Sequence, residues 1–239
     1  MIWPVTPRPD QFIDIYLRDP FRVRINGGAF RVTPETIVVG PQTYRRAELC
    51  LSGEIHVFNI LFQPAGFNRL IGIEMTSLVN HDPAAAEILG KRSHSLNDAV
   101  RAATDFQSRV AAAEGWVGGL LEKSSPNGTI DHASRIMIAT GGRARIDALV
   151  ERSGLSARQF QRRFEAQVGL TPKVYARTIR FDHVLRAHRN MPSRPWTDIV
   201  HEAGYFDQAH FIRECHALVG VSPGRFDGNW KNSFFPARV

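Results

Sequence analysis

The sequence predicts a two-domain α+β protein: a β-rich N-terminal half folded as a small barrel or sandwich with added helices, then an all-α half. The second half is two helix-turn-helix motifs joined by a long helix. Three observations predict this. Short runs of β-branched and aromatic residues, broken by Gly and Pro, fill positions 1–70, whereas helix-length amphipathic segments fill the chain beyond position 130. The stretch GLSARQFQRRFEAQVGLTP (Gly154–Pro172) returns as GYFDQAHFIRECHALVGVSP (Gly204–Pro223). Charge is also split: residues 1–130 hold 13 Lys+Arg and 13 Asp+Glu, while residues 131–239 hold 17 and 10.

Taken in order, FRVRING alternates apolar with basic residues and ends at Asn26-Gly27-Gly28, a hairpin signal, after which AFRV resumes. TIVVGPQ, AELCLSG and IHVFNILF read as further strands. QPAGFNRLIGIEMTSLVN is helical or irregular. Asp82-Pro83 opens a helix through Leu89 that Gly90 stops. From Leu96 to Glu122 the apolar residues Val100, Ala103, Phe106, Val110, Ala113, Val117 and Leu121 fall at near-helical intervals, which predicts one helix weakened late by Gly115, Gly118 and Gly119. KSSPNGT (Lys123–Thr129) is a joint of turn formers. The expected division is therefore 1–122, a linker 123–130, a helical unit 131–229 and a tail 230–239.

In the helical unit Asp131 is expected to cap a helix through Ala139 that ends at Gly141-Gly142. Ile146–Ser153 is a short helix closed by Gly154, and Ser156 caps a helix through Val168 closed by Gly169. Thr171-Pro172 opens a long helix to about Arg189, because proline suits the first helical turn. Trp196–Ala203, the turn at Gly204, Asp207 as a cap and a helix to Val219 repeat the pattern, and Ser222-Pro223 opens a last short helix. Leu149, Val150 and Gly154 recur as Ile199, Val200 and Gly204, an offset of 50. Phe160, Val168, Gly169, Pro172 and Tyr175 recur as Phe211, Val219, Gly220, Pro223 and Phe226, an offset of 51, so one residue is inserted after the glycine.

Each copy is a short helix, a glycine turn and a longer helix, the arrangement that lays its second helix in a DNA major groove. In the first copy Phe160, Phe164 and Val168 are expected to face the core, with Arg158, Gln159, Gln161, Arg162 and Arg163 outward. In the second, Phe211, Cys215 and Val219 form the buried stripe, and Gln208, Ala209, His210, Ile212 and Arg213 lie on or near the open face. Arg, Gln and His are donor-rich side chains that read base edges or hold phosphates. Of the 17 basic residues in the second half 15 are arginine, whose planar fork pairs with phosphate and guanine. An 18-residue connecting helix spans roughly 27 Å, which approaches the roughly 34 Å between successive major grooves once the ends of its neighbours are added.

These residues resemble a known family. Residues 131–229 are similar to the DNA-binding domain of AraC/XylS transcription regulators, on the strength of LSARQFQRRFEAQVGLTP, RFDHVLRA (Arg180–Ala187), WTDIVHEAGYFDQAHFIREC and GVSPGRF. Val150 and Val200 stand where members usually have alanine, and Cys215-His216 replaces an aromatic-basic pair. By position the resemblance implicates Arg158, Gln159, Gln161 and Arg162 in the first second-helix, and Gln208, Ala209, His210 and Arg213 in the other. Gly40-Pro41 and FQPAGFNRLIG resemble an N-terminal domain found in some regulators, whose better-known counterparts are cupin-like barrels that bind effectors or dimerise. The resemblance implies double-stranded DNA and RNA polymerase as partners, a small-molecule effector, a homodimer through the 96–122 helix, and no cofactor.

Competing readings are weaker. Arg162 and Arg213 as merely solvated charges, a metal site at Cys215-His216 with His201 and His210, and a cupin-type metal set from His56, His81 and His94 lack ligand spacing or ignore the repeat. Trp196 and Phe206 are expected as core anchors. The rival class is a DNA-targeted enzyme or repair protein with chemistry in the N-terminal half, for which Cys50 stands as a lone cysteine. No apolar run approaches a membrane span and the start MIWPVTPRPD lacks signal-peptide character, so a cytoplasmic protein with reduced thiols is expected, for which the sequon Asn127-Gly-Thr129 has no meaning.

Overall fold

In a computed structural model, which describes residues 2–44, 47–126 and 128–226, the N-terminal half is built on two antiparallel sheets. One sheet has the order β1 (Ile2–Pro4), β6 (Ala47–Cys50), β3 (Arg22–Ile25), β4 (Arg31–Val32). The other places β2 (Gln11–Tyr16) between β5 (Thr36–Val39) and β7 (Val57–Phe62), with Ile13 opposite Val38 on one side and Ile60 on the other. Every residue of β2 is buried. Its Ile13 and Ile15 face a core shared with the helices, while Phe12 and Tyr16 face a second core with Phe21, Ile37 and Val39.

The helices α1 (Gly66–Ile71), α2 (Ala85–Leu89), α3 (Lys91–Ala102) and α4 (Phe106–Leu121), with a 3-10 turn at Met75–Leu78, follow the sheets. The single helix expected over 96–122 is thus two helices. Asp105 breaks it because its carboxylate accepts from the Ser108 amide at 2.8 Å while Ser108 Oγ accepts from the Asp105 amide, a complete capping box that starts a new helix. The three late glycines do not interrupt α4. Gly40 has a steric reason to be glycine: a Cβ there would lie 2.0 Å from the Leu78 carbonyl oxygen, so no other residue lets β5 end against the 3-10 turn.

The helical half runs α5 (Thr129–Ala139), α6 (Ile146–Ser153), α7 (Ala157–Val168), α8 (Pro172–Asn190), α9 (Trp196–Glu202), α10 (Gln208–Val219) and α11 (Pro223–Phe226). Asp131 does not cap α5. The N-cap is Gly128, and Asp131 sits inside the first turn, buried and ion-paired with Arg135 one turn on. The start of α6, the caps Ser156 and Asp207, and the left-handed closing glycines Gly154, Gly169 and Gly220 stand where the pattern put them. Two cores flank α8. Its N-terminal part, with Tyr175, Ala176 and Ile179, joins Phe160, Phe164, Val168, Leu149 and Met137. Its C-terminal part, with Phe181, Val184 and Leu185, joins Ile199, Val200, Phe211, Cys215 and Val219. Asn127 and the expected tail 230–239 lie outside the described residues.

Candidate nucleic-acid interface

The helix α7 begins at Ser156, whose Oγ accepts from the Gln159 amide at 3.3 Å while Gln159 Oε1 accepts from the Ser156 amide at 3.1 Å. The Gln159 side-chain oxygen is therefore committed to the cap. Phe160, Phe164 and Val168 are fully buried, which turns Arg158, Gln161, Arg162 and Arg163 to solvent. Gln161 Nε2 donates to Glu165 one turn on, at 2.8 Å. The exposed guanidinium groups of Arg158, Arg162 and Arg163 take no ion pair among the described residues.

The helix α10 has the same construction. Asp207 accepts from the His210 amide at 2.6 Å, Phe211, Cys215 and Val219 are buried, and Gln208, Ala209 and Arg213 are exposed. His210 is half-buried, with its ring edge-on to Tyr205 at 5.2 Å. Glu214 locks the helix to α8: Arg177 Nε donates to one carboxylate oxygen at 2.8 Å and the Tyr205 hydroxyl to the other at 2.5 Å. Sequence reasoning missed this tie, since nothing in the spacing of Arg177, Tyr205 and Glu214 brings them together before the helices are packed. The Cys215 thiol is pushed up to about 12 by burial and then by Glu214, while His216 beside it is exposed. His56, His81 and His94 are each exposed. Among the described residues no three His, Cys, Asp or Glu side chains gather as metal ligands.

The two aromatic residues expected as core anchors part company. Trp196 is partly buried and stacks on His188 at 3.8 Å and on Phe211 at 5.6 Å. Phe206 is 90 % exposed, because it occupies the residue just before the Asp207 cap, where the chain turns outward before α10.

The N-terminal half grips α7 by its far end. Gln11 Nε2 donates to the Val168 carbonyl at 3.1 Å, and the Gly169 backbone lies against the Met75 carbonyl. Ala65 and Val79 join the core around α7. The outward arginines stay uncovered, so this docking does not occlude the exposed face. A second link reaches α8. Arg8, 3 % exposed, ion-pairs through Nε with Asp10 at 3.5 Å, Asp10 faces Arg186 at 3.6 Å, and Arg186 Nε donates to Asp182 at 2.7 Å. Arg8 also lines a cavity of about 60 Å³ between the two sheets, with Asp14, Phe12, Val23, Val39 and Leu49 among its walls. No helix among the described residues is long and apolar enough to cross a membrane.

Residues 149–229 match a protein family described as a helix-turn-helix domain. No curated protein matches the chain in sequence. Among solved structures the fold is similar to that of ToxT from Vibrio cholerae, at 11 % identity and a TM-score of 0.52 over 95 % of this chain and 93 % of that one. ToxT bound to (E)-4-(8-methylnaphthalen-1-yl)but-3-enoic acid gives 11 % identity and a TM-score of 0.52 over 96 % and 95 % of the two chains. Wild-type ToxT bound to an unsaturated fatty acid gives 10 % and 0.53 over 95 % and 90 %. With the tandem repeat and both caps in place, residues 149–229 match a helix-turn-helix domain, on a chain whose fold is similar to that of ToxT.

Proposed function

We propose that this DNA-binding regulator reads two successive major grooves at once, with α7 in one and α10 in the next, under the control of an effector received by the N-terminal sandwich. The observation that carries the reading is the equivalence of Arg162 and Arg213. They stand 51 residues apart, at the same place on two helices that are capped and buried alike and attached to one connecting helix. Nineteen residues of α8 extend roughly 28 Å. Arg158, Gln161, Gln208, Ala209 and His210 are the accompanying contacts. Gln159 joins them through Nε2, since the cap engages only its side-chain oxygen.

The bound acids named for ToxT support an effector role for this N-terminal half. The charge chain Arg8–Asp10–Arg186–Asp182 supplies a physical route from the sandwich to α8. The exposed Phe106 and Leu121 at the two ends of α4 favour that helix as a self-association surface. RNA polymerase is the further partner this reading requires.

The test is binding to duplex fragments retained from the organism's own genome. Eight phosphate contacts predict a log–log salt slope near about −7. Arg162→Ala and Arg213→Ala should each weaken specific binding by about 1–3 kcal/mol if the residue reads a base. A slope near zero, or a double variant that binds as the parent does, refutes the reading.

A further inference from the structure

The cavity between the sheets limits what the N-terminal half can receive, and the inference below rests on the effector reading just given. At about 60 Å³ it holds roughly four to six waters, the space of an organic molecule of about six to nine non-hydrogen atoms. Phe12 and Val39 from one sheet and Val23 and Leu49 from the other make its walls apolar. Two buried charged side chains break that lining, Arg8 and Asp14.

Arg8 is held firmly. Its backbone exchanges hydrogen bonds with Gln42 at 2.8 and 2.9 Å, and its guanidinium lies 4.1 Å over the centre of the Phe12 ring. Its Nε is turned to Asp10 at 3.5 Å, and its Nη2 has no hydrogen-bond acceptor among the described residues. A guanidinium carries more N–H donors than that one ion pair engages, so an acceptor entering the cavity would be favourable at Arg8. Asp14, 4 % exposed, accepts from Asn59 through Oδ1 at 2.7 Å and also lines the cavity. A carboxylate accepts several hydrogen bonds, so a donor brought into the cavity finds an acceptor there.

The charge balance decides the class of ligand. Arg8 is already compensated by Asp10 at 3.5 Å, and Asp82, at the cavity wall, by Arg31 at 3.3 Å. An arriving anion would be placed beside Asp14, and an arriving cation beside Arg8. Both are repulsions in a water-poor interior, where like charges are strongly penalised. A neutral group with an acceptor and a donor side by side meets both needs. We infer that the cavity takes a small uncharged molecule with an apolar body and a polar end of the primary-amide kind, its carbonyl oxygen accepting from Arg8 and its N–H donating to Asp14. Burial raises the Asp14 carboxyl well above its ordinary range even with Arg8 nearby, so the cavity already resists the negative charge it holds. The preference therefore departs from the carboxylic acids bound in the ToxT structures.

The experiment titrates the full chain, followed by amide chemical shifts, with three matched sets of probes near neutral pH. Isobutyramide, benzamide and cyclohexanecarboxamide are each compared with the corresponding carboxylate and the corresponding primary amine. At least one amide should saturate with shifts at Arg8, Phe12 and Val39, and bind about tenfold or more tightly than its acid and amine partners. In Asp14→Asn the carboxylate of that set should overtake the amide, because Arg8 is then the charge the ligand meets. A loss of packing alone would weaken the whole set and leave its order unchanged. A carboxylate or amine binding tightest to the parent, no probe reaching the cavity, or an unchanged order in Asp14→Asn would each overturn the inference. These readouts need no DNA. An amide that fills the cavity yet leaves DNA affinity unaltered removes the effector reading while leaving the ligand class standing.

Discussion

Gly169 and Gly220 close the two outward-facing helices with nearly the same backbone, φ 93° and ψ −18° at one and φ 77° and ψ 1° at the other. Alanine at either position must enter the left-handed region, at a cost of about 1–2 kcal/mol. There the likeness ends. A Cβ on Gly220 meets nothing within 4 Å, while a Cβ on Gly169 would lie 2.9 Å from the Met75 carbonyl oxygen and 3.1 Å from Val79 Cγ2. Forcing a methyl group into a filled contact adds about 1–3 kcal/mol. Gly220→Ala should therefore cost about 1–2 kcal/mol and Gly169→Ala about 2–5 kcal/mol. The second repeat acts as the internal control for the first. Urea denaturation of both variants gives the two costs, and hydrogen exchange over residues 75–79 shows where the excess is spent, with faster exchange expected in Gly169→Ala alone. Equal costs, or unchanged exchange at the 3-10 turn, would refute the claim that the end of α7 is seated on the N-terminal half.

Two further outcomes follow from the buried and capping carboxylates. Burial pushes Asp14 up to about 6 from 3.8, so the folded protein holds a proton there that the unfolded chain has lost, and stability falls as pH rises through that window. The stability difference between parent and Asp14→Asn should shift against the parent by about 3 kcal/mol in all between about pH 3 and pH 7, and a flat difference across that range rules this out. Asp207→Ala removes the acceptor of the His210 amide at 2.6 Å and should cost about 1 kcal/mol. Unchanged thermal stability would mean that water replaces the cap without loss.

What was legible in the sequence was what short-range rules encode. The caps Ser156 and Asp207, the closing glycines and the buried stripes of α7 and α10 follow from residues within one or two turns of each other. The strand QFIDIY had no such signature. It is the middle strand of its sheet and buried on both faces, so the alternation that marks a half-exposed strand is absent, and Gln11 and Asp14 interrupt the apolar run. The break before α4 was masked because apolar spacing continues across it, whereas the stop is made by the Asp105–Ser108 box. Phe206 was misread because an aromatic residue beside a buried Tyr205 resembles core until the chain direction at the cap is known. The cavity charges are a fully tertiary matter. Arg8, Asp10 and Asp14 lie close in sequence, yet Arg186 and Asp182, which complete their surroundings, come from the other half of the chain.

Because one end of α8 is bedded in the first helical core and the other end in the second, the angle between the two arginine-bearing faces is set by how many residues the helix contains. Adding one residue to α8 would swing the far motif by about 100° and advance it by about 1.5 Å, changing the direction in which Arg213 faces relative to Arg162. The extra residue that distinguishes the repeats follows Gly204, in a turn, where chain length changes without altering that phase. The connecting helix thus works as a fixed gear between the two motifs, and its length sets their relative orientation.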